Sequence, residues 1–396
     1  MERYFGVVSR GVRGPIIREG DDIVGIVADA VLKASHDGRD MQDKDIVAVT
    51  ESVVARAQGN YASVDAIASD IKAKFPSGEF GVIFPILSRN RFAICLKGFA
   101  KGAKKIYLML SYPSDEVGNH LISVDEVDAA GIDPFKDVLT EEAYRKAFGY
   151  KLHQFTGVDY IEYYKELIKD CGAEVEVIFA NDCRKILDYT KNVLCCDIHT
   201  RERSKRLLKF AGAEIVLGMD DILTQSVDGS GFNERYGLLG TNKATEETVK
   251  LFPHNCQPVV DGIAAKLHAA TGKNVEVLIY GDGAFKDPVG KIWELADPVV
   301  SPAYTKGLEG QPNELKLKYL ADNDFAHLKG DALKEAIAQR IKEKEADLVG
   351  KMASEGTTPR RLTDLIGSLC DLTSGSGDKG TPIIWISGYF DNMTTE

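Results

Sequence analysis

The residues with the clearest chemical promise lie between Val275 and Gly310. Val275, Val277 and Ile279 alternate with Glu276, Leu278 and Tyr280, an apolar run of strand length. The run ends at Gly281-Asp282-Gly283, where two glycines permit φ > 0 and close approach of a ligand. Acids recur at Asp287, Glu294, Asp297 and Glu309, beside Lys286, Lys291 and Lys306. Pro288, Pro298 and Pro302 prevent one continuous helix. A strand ending in such a loop, followed by an irregular acidic segment, suits a divalent cation and phosphates. The plainer reading is a solvated turn after a core strand.

Three other stretches carry polar groups in useful settings. Glu51, Ser52 and Arg56 stand just past the apolar strand Asp45 to Thr50, where a hydroxyl and a guanidinium can hold nucleotide phosphate or a carboxylate. Ser374-Gly375-Ser376-Gly377-Asp378 lies in a glycine- and serine-rich loop whose amides can wrap phosphate, although a bare hinge reads equally well. It is no Walker A motif, because helix, loop and strand follow in the reverse order. Asp197, His199, Thr200 and Arg201 sit at a strand's C-terminal edge, where open α/β sheets place ligands; His199 reads as a base or as a satisfied surface histidine.

The elements that must position these groups follow from periodicity. A strand is expected at 4–8, then a tight loop through Gly11 to Ile17, then a helix capped by Asp21 with Ile23, Ile26, Val27, Ala30 and Val31 inward. Ser63 opens a second helix, Gly81 to Leu87 reads as a buried strand and 89–101 as helix, with Lys97, Lys101, Lys104 and Lys105 suited to its C-terminal dipole. Between about 150 and 240 short strands and helices alternate: Glu174 to Phe179, Val193 to Ile198 and Ile215 to Leu217, with helices capped at Asp159 and running from Arg201 to Phe210. That texture predicts a small parallel layer covered by helices, without a G-x-G-x-x-G dinucleotide fingerprint. A long helix is expected from Asp331 to Glu355, and another from Arg360 after the cap pair Thr358-Pro359.

Composition sets the bounds. The 396 residues, 44% hydrophobic, can bury a sizeable core in two or three domains. Sixty acids against 49 bases give a net charge of −11, which argues against a nucleic-acid binder. No apolar run reaches the ~18 residues of a membrane span, and the N-terminus lacks the apolar core of a secretory signal. Seven irregularly spaced cysteines fit a reducing cytoplasm, without a zinc site at Cys195-Cys196.

Taken together, Gly14 to Asp22, Asp45 to Gly59, Asn274 to Gly310 and Asp364 to Gly388 resemble the coenzyme F-420-0:L-glutamate ligase family, in the family's order. The segment from about 125 to 255 has no counterpart in the minimal ligases. The resemblance implies a mixed α/β fold: a ligase-like sheet domain built from 1–125 and 256–396, with an inserted α/β region at 126–255. It implies a γ-glutamyl ligase that uses GTP (or ATP) with Mg²⁺ or Mn²⁺, takes a carboxylate acceptor and glutamate or another amine, and forms a homodimer. By position, it places nucleotide contacts at Gly14, Pro15, Ile16, Ile17, Glu51, Ser52, Arg56 and Ser374, Gly375, Ser376, Gly377, Asp378. Asp282 stands at the metal position, and Arg56 where the family carries a lysine. Two other readings stay open: a nucleotide-binding regulator of the same fold, or a small-molecule enzyme built on the inserted layer.

Overall fold

Val12, Val47, Val49, Val277, Ile279, Ile383 and Trp385 point to one side of a mixed sheet, and Ile46, Ala48, Leu278, Tyr280, Ile384 and Ile386 to the other. This is the two-residue alternation of strands covered on both faces. In the computed structural model, which describes residues 4–37, 39–283, 285–286, 293–294, 296–354, 360–374 and 377–395, the sheet has five strands. Their order is Val8–Val12, Ile383–Ser387, Ile46–Thr50, Glu276–Tyr280 and Ala303–Tyr304. Ile46–Thr50 and Glu276–Tyr280 run parallel; the other neighbours are antiparallel. Helices Ile23–His36 and Gln257–Thr271 cover the first face, and Leu362–Thr373 covers the second. Both ends of the chain therefore build one sheet, as expected.

The second sheet has six strands in the order Leu139–Thr140, Glu174–Phe179, Lys105–Leu110, Glu79–Ile83, Asn192–Cys195 and Ile215–Gly218. All but the first neighbour pair are parallel. Val82, Leu108, Val177 and Leu194 face one apolar cluster, while Ile83, Met109, Ile178 and Cys195 face another, so helices cover this layer on both sides too. The strand order reverses between Glu79–Ile83 and Asn192–Cys195, which is the switch point where loops of such sheets diverge and leave a crevice. This layer draws strands from both sides of the expected 125/126 border: Glu79–Ile83 and Lys105–Leu110 pair with the strands that follow. A three-stranded antiparallel sheet, Asn242–Lys243, Thr248–Lys250 and Tyr61–Ser63, lies between the stretches that build the two larger sheets.

Several local expectations shift. The first strand is Val8–Val12, where pairing with Ile383–Ser387 begins, and residues 4–7 are exposed. Asp22, not Asp21, caps the first helix by accepting from the Gly25 N–H, and Asp21 instead accepts from the Arg18 N–H. The helix expected to Glu355 ends at Lys342. Lys97 and Lys101 pair with Glu247, and Lys101 with Asp65, so these cations are ion-paired side chains as well as helix-end charges. Thr358 and Pro359 lie outside the described residues.

Candidate active site

Strand register brings distant segments to one edge of the mixed sheet. Val12 faces Ile383, Ile383 faces Val49, and Tyr280 faces Thr50. The loops leaving those positions are Gly14 to Ile17, the start of helix Glu51–Ala57, Gly281 to Gly283, and the segment before Ile383. Backbone bonds tie them: the Gly14 N–H donates to the Gly380 carbonyl at 3.1 Å, and the Thr50 N–H to the Pro382 carbonyl at 3.0 Å. Arg56 Nε donates to the Ile17 carbonyl at 3.1 Å. Ile17 is buried, whereas Pro15, Ile16 and Arg56 are exposed. Ser374 is half-buried, and Gly377 and Asp378 are exposed; Gly375 and Ser376 lie outside the described residues.

Glycines 281 and 283 are needed for space, not for a left-handed backbone. Neither has positive φ. A Cβ on Gly281 would stand 2.3 Å from Asp297 Oδ2, and one on Gly283 would stand 2.7 Å from the Ser368 Cα. The chain passes this close because Asp297 Oδ2 accepts the Asp282 N–H at 2.8 Å and Asp371 Oδ2 accepts the Gly283 N–H at 2.9 Å. Asp297 thus lies against the strand end, whose backbone two carboxylates hold.

Arg91 joins this cluster from the second sheet. It follows Glu79–Ile83 at the switch point, and its guanidinium donates to Asp297 Oδ1 at 2.8 Å and Asp282 Oδ2 at 2.6 Å. Burial disfavours the charged guanidinium, but the carboxylates of Asp297 and Asp282 more than reverse this and raise its pKa. Glu51 is turned inward rather than towards the loop: it is 4% exposed, and both its oxygens accept from Lys250 Nζ, at 2.7 and 2.8 Å. Its expected direct nucleotide contact is therefore not open in this structure. Burial pushes the Glu51 carboxyl up to about 7 against the pull of Lys250, with Asp297 adding to the rise. Burial also raises Asp371, opposed by its bond from the Gly283 N–H. Glu51, Asp282, Asp297 and Asp371 set four carboxyl groups against Arg91 and Lys250.

That donor set is of the hard oxygen type that Mg²⁺ and Mn²⁺ prefer, and its excess of acid suits a cation. Among the described residues, however, no group of three or more His, Cys, Asp or Glu converges closely enough to hold a metal ion. Arg91 stands between the carboxylates of Asp282 and Asp297.

The expected polar group on the parallel layer has a different character. Asp197 is fully buried at the end of Asn192–Cys195; its Oδ2 accepts from the Thr200 and Ser204 hydroxyls at 2.8 Å each. Glu116 accepts from the N–H groups of Ile198, His199 and Thr200. His199 itself is exposed. Arg91, Lys250, Asp297 and Asp371 carry the first site, yet only Asp297 stood out by residue type and spacing. The others are paired across 191, 199 and 88 residues of sequence, and no local pattern marks such partners.

A family model described as F420-0:Gamma-glutamyl ligase matches residues 11–388. No curated protein matches the chain.

Proposed function

The chain belongs to the F420-0:gamma-glutamyl ligase family, and we propose that it joins glutamate to a carboxylate acceptor through an acyl phosphate, using a nucleoside triphosphate, GTP before ATP. One observation supports this reading beyond membership: four segments distant in sequence meet at one sheet edge beside a buried cluster rich in carboxylates. A carboxylate in water does not condense with an amine unless one oxygen is made a leaving group. The acceptor carboxylate takes the γ-phosphoryl group and releases the nucleoside diphosphate. The neutral amine of glutamate then attacks the acyl carbon, the amide C–N bond forms, and phosphate leaves with the C–O bond.

In this reading Gly14, Pro15, Ile16, Ile17, Ser52 and the Ser374–Asp378 stretch embrace the nucleotide, and Arg56 neutralises phosphate. Asp282 and Asp297 would hold Mg²⁺ or Mn²⁺, which supplies charge neutralisation to the phosphates when bound. Arg91 bridges the two carboxylates. Glu51 is a positioning residue that fixes Lys250 at the back of the cluster. A homodimer belongs to the same reading.

Phosphate release is the direct test. It should require nucleotide, divalent cation, carboxylate acceptor and glutamate together, with GTP favoured over ATP. Release that proceeds without the amine would make the chain a hydrolase or regulator and overturn the proposal.

A further inference from the structure

Two carboxylates of the candidate site face one another across a single positive charge. Asp297 Oδ2 accepts the Asp282 N–H at 2.8 Å, and its Oδ1 accepts from the Arg91 guanidinium. Asp282 Oδ2 accepts from the same guanidinium and, at 3.3 Å, from the Ala296 N–H. Each carboxylate thus has a backbone anchor of its own, and Arg91 fills the gap between them. The Arg91 backbone is anchored too. Its N–H donates to the Ser88 hydroxyl at 3.1 Å, and its carbonyl accepts from the Cys95 thiol at 3.4 Å. The movable part is the side chain. It is 19% exposed, beside Asp282 at 16% and Asp297 at 2%, so solvent reaches the trio from the Asp282 side.

One or two carboxylates are enough to hold Mg²⁺ when phosphate oxygens and water complete its shell. A guanidinium brings one charge where a divalent ion brings two, and this cluster sets Glu51, Asp282, Asp297 and Asp371 against Arg91 and Lys250. Loss of Arg91 with nothing in its place would leave buried acid unbalanced, so the guanidinium and a hard cation trade places in one event. The cavity behind Arg91, lined by Ile86, Phe92, Leu239 and Thr241, holds about 20 Å³, room for a water but not for a guanidinium. The side chain therefore leaves towards solvent. Arg91 follows a strand of the parallel layer, whereas the acids belong to the end of the mixed sheet, so the exchange also undoes a link between the two. Resting on the metal-dependent ligase reading, we propose that Arg91 is a built-in stand-in for the divalent cation: it seals the gap between Asp282 and Asp297 in the empty enzyme, and metal enters only by displacing its guanidinium to the surface.

The test is calorimetric titration of the full chain with Mn²⁺ alone, without nucleotide. Arg91→Gln should bind Mn²⁺ at least about tenfold more tightly than the native chain, because no resident charge has to be displaced. Arg91→Lys keeps the charge and should return the affinity towards the native value. Mn²⁺ should also raise the melting temperature of Arg91→Gln more than that of the native chain, which reads the exchange even where the variant is less stable. In the native chain phenylglyoxal, which modifies free guanidinium groups, should label Arg91 faster with Mn²⁺ than without it, as read by peptide mass mapping. Equal or weaker Mn²⁺ binding by Arg91→Gln, or labelling of Arg91 that Mn²⁺ leaves unchanged, would each overturn the proposal. None of these measurements needs turnover. Exchange in a chain that releases no phosphate would sink the ligase reading alone, and Mn²⁺-dependent phosphate release without exchange would sink this inference alone.

Discussion

Both larger sheets end in loops that bury carboxylates, but they satisfy them in opposite ways. At the parallel layer the partners are mostly backbone amides or nearby hydroxyls. Asp115 accepts from the Val117 and Asn119 N–H groups in its own loop and from the Leu87 N–H in the loop beside it. Asp197 takes hydroxyls from Thr200 and Ser204 on the next turn of chain. At the mixed sheet backbone amides hold Asp371 and one oxygen of Asp297, but charged side chains from far away are added: Arg91 for Asp282 and Asp297, Lys250 for Glu51. A carboxylate tied to neighbouring amides sets the shape of a loop. A carboxylate balanced by a distant cation can exchange that cation for a ligand, at the cost of keeping charge in a poorly solvated place. The difference separates scaffold from site.

The sharpest way to break this comparison is to remove a distant partner. Lys250→Met should destabilise the chain by about 3–5 kcal/mol at pH 8, because it strands a buried carboxylate. The loss should shrink at pH 5, where Glu51 takes a proton, and adding Glu51→Gln should recover part of it. Urea unfolding at both pH values reads this. An equal loss at both would mean that the pair acts by packing alone.

Asp282→Asn removes one charge at nearly constant shape. Phosphate release should fall by about 100-fold, a loss of about 2.7 kcal/mol in transition-state stabilisation, while circular dichroism stays native. Full metal-dependent nucleotide affinity in this variant, measured by calorimetry, would remove Asp282 from the proposed cation site.

The scaffold carboxylate gives a smaller effect that depends on pH. Burial pushes Asp115 up to about 6 from an ordinary 3.8, despite the amides that favour its charged form. A raised acid stabilises the fold fully below its unfolded value and loses that contribution as pH rises through the folded one. Native stability should therefore drop relative to Asp115→Asn between pH 3.8 and 6, by on the order of 3 kcal/mol, and run parallel above. Phosphate release at pH 8 should change little, and a large change there would move Asp115 from scaffold to site.

Arg56→Ala should have the smallest effect. It removes one exposed guanidinium and its bond to the Ile17 carbonyl, and should weaken nucleotide about tenfold with little change in melting temperature. An unaltered affinity would confine the loop's role to structure.

Much of the framework is legible in the sequence. The strand before Asp282, the strand Ile46–Thr50, the helix capped at Asp159 and the parallel layer's later strands follow from alternation and caps, which are local. The helix expected to Glu355 was overextended because Lys–Glu spacing continues past Lys342, while the buried apolar side does not persist in one helix. At the site, Asp282 was visible through its glycines and Asp297 through the acidic run. Arg91 was not, since nothing in Ser88-Arg89-Asn90-Arg91 tells which arginine crosses to another sheet. Glu51 reads in sequence as a polar residue past a strand, suited to a ligand; its burial beside Lys250 is a contact across 199 residues that its neighbours do not encode.

The position of Ile383–Ser387 has a consequence for synthesis on the ribosome. The strand lies between Val8–Val12 and Ile46–Thr50, so both have an open edge until it arrives. The parallel layer is complete once Ile215–Gly218 has emerged, roughly 170 residues earlier, a lag of about 10–30 s at typical translation speeds. During that interval the nascent chain carries a finished layer and two strands with an open edge able to accept a foreign partner. A chain released before Ile383 would keep the layer, lack the edge that gathers the ligase-like loops, and expose a template for aggregation.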